Sequence, residues 1–133
     1  RAEKFDIVVF AGILYHLKNP LRVLEDIGSI CNNSILLETE TIPDDPRNCV
    51  VVRQGKPAVL QAVTKGMMKF IEADELNGDN TNWWVPDREC VMAMLRTAGF
   101  RFFSRPLILH ECRLCMVASK YKDSGLDLDA FGT

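Results

Sequence analysis

Residues 5–40 run strand, helix, strand, and that order restricts the fold more than any other feature of the chain. "FDIVVF" (5–10) is a continuous apolar run with β-branched residues in its middle, the pattern of a strand buried on both faces. "NPLRVLEDIGSIC" (19–31) reads as a helix. Asn19 can cap it, Pro20 suits its first turn, and Leu24, Ile27 and Cys31 recur at helical spacing. "SILLETE" (34–40) is a second buried-type strand. A strand–helix–strand unit of this length predicts a parallel pair with a right-handed crossover.

The later chain is read with the same rules. "NCVVV" (48–52) suggests a short strand, "PAVLQAVTKGMMKFI" (57–71) contains a helix pattern, and "ELNGDNTN" (75–82) has the composition of a loop. Together they form a long insertion, about 41–82, of the kind that more often carries function. Pro86 and Asp87 then start a helix, with Glu89 in its first turn, an apolar stripe of Val91, Met94, Leu95 and Ala98, and Gly99 as its stop. "FRFFSRPLIL" (100–109) and "CRLCMVASKY" (112–121) follow as an antiparallel hairpin linked around His110 and Glu111. Residues 122–133 lack a packing pattern and read as a flexible tail.

The bulk properties exclude several classes. No apolar run approaches the roughly 20 residues that span a bilayer, and "RAEK" is no basic-then-apolar leader. Five scattered cysteines do not form a disulfide framework, so a reduced, cytoplasmic setting is expected. A net charge of −2 argues against a general polyanion binder. A start at Arg1 without Met, four residues before a strand, suggests a piece of something longer.

The order of elements is that of the back half of a doubly wound α/β sheet, in which ligands bind at the carboxyl ends of the strands. "AGILYH" (11–16) and "ETETIP" (38–43) fall at that edge. "FDIVVFAGILYHLKNPLRVLEDI", "LLETE", "ELNGDNTNWWVPDRECVMAMLRTAGF" and "RLCMVASK" together resemble the class I S-adenosylmethionine-dependent methyltransferases. More narrowly, they resemble the family of the bacterial enzyme that modifies the tRNA wobble uridine with carboxy-S-adenosylmethionine. The resemblance runs from about Phe5 to Lys120. It implies the C-terminal half of a Rossmann-like methyltransferase sheet, because the family's Gly-rich turn and ribose-binding carboxylate match nothing here.

The resemblance also assigns residues. In the family the tyrosine of "LYH", here Tyr15, contacts the cofactor, and the position of Ala11 lines the same pocket. The arginine matching Arg113 belongs to the cofactor site, where a guanidinium would pair with a carboxylate. On chemistry alone Tyr15 could instead simply pack, and Arg113 could be a solvated edge residue. His16 is a candidate general base or an imidazole bonded to a neighbouring loop. Glu38 and Glu40 could orient a substrate or its amine; their side chains are expected to diverge along the strand, so that at most one serves a given side. Asn82, Trp83 and Trp84 read as a substrate-pocket wall on a helix N-terminus, with Trp84 packing and Trp83 nearer the cleft. His110, Cys112 and Cys115 raise zinc, but the two cysteines point apart and no second pair completes a site, so no metal is expected. Arg47, Arg53, Lys56, Lys65 and Lys69 could touch RNA phosphates or form a solvated surface.

The expected function is methyl transfer from S-adenosylmethionine or its carboxylated analogue to a small molecule or tRNA. The alternative is a non-catalytic remnant or binding module that lacks the cofactor cradle. Self-association through the exposed edge of the first strand is expected in either case, and no membrane partner.

Overall fold

The structure is a computed structural model that describes residues 3–42, 50–53, 56–59, 66–110 and 112–125, with backbone alone for 50–53 and 56–59. Its main sheet has the order β1 (Phe5–Ala11), β2 (Cys31–Glu40), β9 (Arg113–Ser119), β7 (Phe102–Phe103), with β8 (Leu107–Leu109) also paired to β9. β1 (Phe5–Ala11) and β2 (Cys31–Glu40) are parallel, in register from Ile7 opposite Ser34 to Ala11 opposite Glu38. Between them runs α1 (Pro20–Ile30), whose N-cap Asn19 accepts from the Arg22 backbone N–H. The parallel β-α-β unit is thus present. Cys31 leaves the helix for the strand, its backbone already extended.

The insertion departs from expectation. The described ends of the expected helical stretch are strands: β3 (Val50–Arg53) pairs antiparallel with β4 (Lys56–Val59), and β5 (Met68–Phe70) pairs antiparallel with β6 (Trp84–Pro86). Gly66, just before β5, takes φ +84°, a backbone region that suits glycine. Residues 43–49 and 60–65 lie outside the described residues, as does most of the expected tail.

α2 (Arg88–Thr97) starts two residues later than read. Pro86 closes β6, and Asp87 is the N-cap, one carboxylate oxygen accepting from Cys90 N at 2.7 Å and the other from Met67 N at 2.9 Å. One side chain therefore caps the helix and fastens the β5–β6 hairpin to it. The closing hairpin is real but broken. β7 (Phe102–Phe103) and β8 (Leu107–Leu109) both pair antiparallel with β9 (Arg113–Ser119), interrupted where Pro106 has no N–H to offer. At the break Ser104 substitutes its hydroxyl, which accepts from Val117 N at 2.9 Å. His110, in the link, takes φ +50°.

Both helices cover one face of the sheet. Phe10, Ile35, Leu37, Leu114, Met116 and Ala118 pack there against Leu24 and Ile27 of α1 and Val91, Met94 and Leu95 of α2. α1 approaches α2 so closely at Gly28 that a Cβ there would stand 2.1 Å from the Ala98 carbonyl oxygen. The other face carries Ile7 and Val9, which are 52% and 65% exposed, so among the described residues the sheet is wound on one side only.

Candidate functional site

Parallel pairing brings the carboxyl ends of β1 and β2 to one edge, and β9, running the other way, begins there: Glu40 is the register partner of Arg113. Gly12 makes the turn out of β1 at φ +68°, a backbone region that suits glycine, and its N–H donates to the Glu38 carbonyl at 2.9 Å. A 3-10 turn, Leu14–His16, follows, anchored by buried Leu14 and presenting Tyr15 and His16.

Four candidate residues meet at this edge. Arg113 grips Glu38 with two N–H groups, Nε to Oε1 and Nη2 to Oε2, the latter at 2.9 Å. Its Nη1 donates to Glu40 Oε1 at 2.9 Å, and Nη2 reaches the Tyr15 hydroxyl at 3.3 Å. The guanidinium carbon lies 5.3 Å from the Tyr15 ring centre. The hydrogen bonds to Glu38 above all, with Tyr15 and Glu40 adding to them, push the guanidinium's proton affinity further up. Two carboxylates against one guanidinium leave the cluster one formal negative charge.

The expected divergence of Glu38 and Glu40 is wrong. Residues two apart on a strand share a face, and both carboxylates hold the same arginine. Arg113 is accordingly no solvated edge residue. Ala11, opposite Glu38, flanks the cluster.

His16 stands beside it, its ring 4.3 Å from that of Tyr15. Nδ1 lies 2.9 Å from the Thr81 carbonyl, which only accepts, so Nδ1 donates; Nε2 makes no hydrogen bond among the described residues. Thr81 is held in turn by Asp79, whose carboxylate accepts from the Thr81 hydroxyl at 2.6 Å and from its N–H at 2.9 Å. Those two bonds, with a smaller contribution from His16, lower the Asp79 pKa. The two readings of His16 are therefore compatible: one nitrogen is bonded to the loop, the other is available. Asp79 and Thr81 were missed as site residues, although the D-x-T spacing is that of a side chain bonding its own backbone two residues on.

Asn82 is 2% exposed and ties the loop, its amide donating to the Leu76 and Asp79 carbonyls. Its Oδ1 is buried with no hydrogen-bond partner among the described residues. Neither tryptophan is a core plug. Both are half-buried, and the fully buried member of the stretch is Val85. Trp83 donates its backbone N–H to the Tyr15 carbonyl and lies under the Lys18 ammonium, 4.6 Å from the ring centre. Trp84 donates Nε1 to the Lys18 carbonyl at 3.2 Å, meets Phe70 edge-on at 5.1 Å and lines an apolar cleft. Trp84 thus packs on Phe70 and faces that cleft, while Trp83 is tied by its backbone to the Tyr15 loop.

Of the five basic residues of the insertion, Lys69 is ion-paired with buried Glu75; the side chains of the other four lie outside the described residues. Cys115, beside Glu38, has its pKa raised by burial first and by that carboxylate second.

No protein-family model and no curated protein matches the chain. Among solved structures, the fold is similar to the N-terminal domain of EvdMO1 in the presence of S-adenosylhomocysteine (SAH) and D-fucose, with a TM-score of 0.55 and 22% identity over 88% of this chain and 48% of that one. The same domain with SAH bound gives a TM-score of 0.55 and 22% identity over 88% and 47%. The chain spans about half the length of that domain. The likeness establishes the fold alone, an α/β fold like that of this domain.

Proposed function

We propose that the chain is part of a methyltransferase that uses S-adenosylmethionine and methylates a hydroxyl of a small molecule. The observation that carries this reading is the meeting of Tyr15, Glu38, Glu40 and Arg113 around the Gly12 turn, at the carboxyl edge of a parallel pair. The solved domain of like fold, crystallised with SAH, supports it.

The donor set fits such a cofactor. Tyr15 accepts from Arg113 and keeps its own O–H to donate. Glu38 and Glu40 retain lone pairs for an amine or ribose hydroxyl, and a site one negative charge in excess suits a cation. When bound, S-adenosylmethionine supplies a methyl group on a sulfonium. The chain's own work is alignment, with Arg113 locking Glu38 and Glu40 in place. His16 Nε2 takes the acceptor's proton while Thr81 holds the ring.

The same geometry favours the ordinary cofactor over carboxy-S-adenosylmethionine. An added carboxylate would have to displace Glu38 or Glu40 from the only guanidinium in the cluster, against the net charge. A small acceptor draws support from the D-fucose crystallised with the similar domain, since a sugar hydroxyl needs a base. A tRNA acceptor rests on the sequence resemblance alone, and Lys69 is already paired.

Amide NMR of this chain titrated with SAH tests the reading. Shifts are expected at Gly12, Tyr15, Glu38 and Arg113, with Ile7 and Val9 unmoved. A Tyr15→Phe chain should show smaller shifts at the same places. Silence at Gly12 and Tyr15 up to the solubility limit of SAH overturns it.

A further inference from the structure

A second feature lies on the helix side of the loop that carries Tyr15 and His16. Lys18, Asn19, Pro20 and Leu21, where α1 begins, face Met68, Trp84 and Met94 across a cleft of about 330 Å³. That volume is at the small end of the roughly 300–1,000 Å³ typical of ligand sites. The cleft has an aromatic wall in Trp84, set by its bond to the Lys18 carbonyl, and two thioethers that adapt to a flat ring. Apolar surface continues outside it: Met67 and Phe70 are about half exposed, and Phe70 supports the outer side of Trp84. Exposed apolar surface leading into an apolar cleft marks a binding site more often than a scattered surface residue does.

Lys18, one of the lining residues, narrows the ligand. Its ammonium has no carboxylate partner among the described residues and stands 4.6 Å from the Trp83 ring centre. The first turn of the eleven-residue α1 contains no acidic side chain to offset the positive end of the helix. An acid is favoured there, and a cation is not.

We propose that this cleft binds a planar aromatic acid, the ring between Trp84 and the two methionines and the acidic group at Lys18. The site is distinct from the Arg113 cluster and does not depend on methyl transfer.

Methionine methyls report on it directly, because two of the chain's five methionines, Met68 and Met94, line the cleft while Met116 lies in the core on β9. The probe is 2-naphthoate, added without SAH to chain labelled with ¹³C at the methionine methyls. Saturable shifts at Met68 and Met94, with Met116 still, are expected. Lys18→Met should weaken naphthoate roughly two- to fivefold and leave the neutral 2-naphthylmethanol unchanged. Leu21→Asp, at the exposed rim, should weaken both by about tenfold or more without unfolding the chain. Linear shifts, movement of Met116, or full affinity in the Leu21→Asp chain overturns the site. Saturable binding of D-fucose there in place of naphthoate overturns the ligand class.

Discussion

The two faces of the main sheet both carry apolar residues and meet different surroundings, the second also bearing Glu38, Glu40 and Arg113 at its carboxyl edge. On one, Phe10, Leu37 and Met116 lie under α1 and α2 and are almost wholly buried. On the other, Ile7 and Val9 stand more than half exposed beside half-buried Leu36, and Phe5 is about half exposed. β1 is also the sheet's edge, paired among the described residues with β2 alone. The difference shows that hydrophobicity in a strand specifies that a face is to be covered, without specifying by what. One face is covered by α1 and α2; along β1 the other has no such cover among the described residues.

Leu37→Ala on the covered face should have the largest effect. It empties a fully buried site and should cost about 2–5 kcal/mol in urea unfolding, whereas Val9→Ala on the bare face should stay within about 1 kcal/mol. Equal losses would break the comparison and show that the bare face is covered in solution. Gly28→Ala sharpens it from the helix side. Its new methyl would press on the backbone carbonyl of Ala98, and a loss of about 1–3 kcal/mol is expected from thermal unfolding.

The bare face is expected to make itself felt through association. An exposed apolar edge strand is a template for another strand, so the chain is expected to sediment as a dimer or larger. Ile7→Lys with Val9→Lys should restore the monomer while leaving the fold's stability nearly unchanged. A wild-type monomer at high concentration would mean that the edge of β1 is blocked.

The smallest effect concerns two thiols on opposite faces. Burial, with Asp87 adding to it, pushes Cys90 on the covered face from 9.0 up to about 11, and Cys115 beside Glu38 moves in the same direction. In the folded chain Cys90 holds its proton where the unfolded chain has released it. Stability is therefore complete below about pH 9 and falls between about pH 9 and pH 11. Cys90→Ala should flatten that decline in urea titrations across the range. An unchanged slope would assign the decline to other groups.

Much of this was legible in the chain's order of residues. The β-α-β unit follows from short-range signals: β-branched runs, an Asn-Pro helix start and a 3.6-residue stripe, all satisfied within residues 5–40. The carboxyl-edge position of Tyr15, Glu38 and Glu40 follows from that unit, because parallel strands end on one side. What failed was non-local. At the described ends of the helix pattern in 57–71 the chain forms β4 and β5, because Val50–Arg53 and Trp84–Pro86 supply strand partners there. A loop reading also could not foresee the hairpin that turns Trp84 toward the start of α1.

By itself the sequence determined which segments are strands of the main sheet, where its helices are capped and which edge collects the polar side chains. These depend on neighbours a few residues apart, whose geometry the backbone sets. Only the tertiary structure decided that Arg113, distant in sequence from Glu38, Glu40 and Tyr15, would bind all three. It also decided which nitrogen of His16 stays free. The reason is that such contacts depend on β9 returning antiparallel in one particular register, and a register shift of one residue would turn Arg113 to the opposite face.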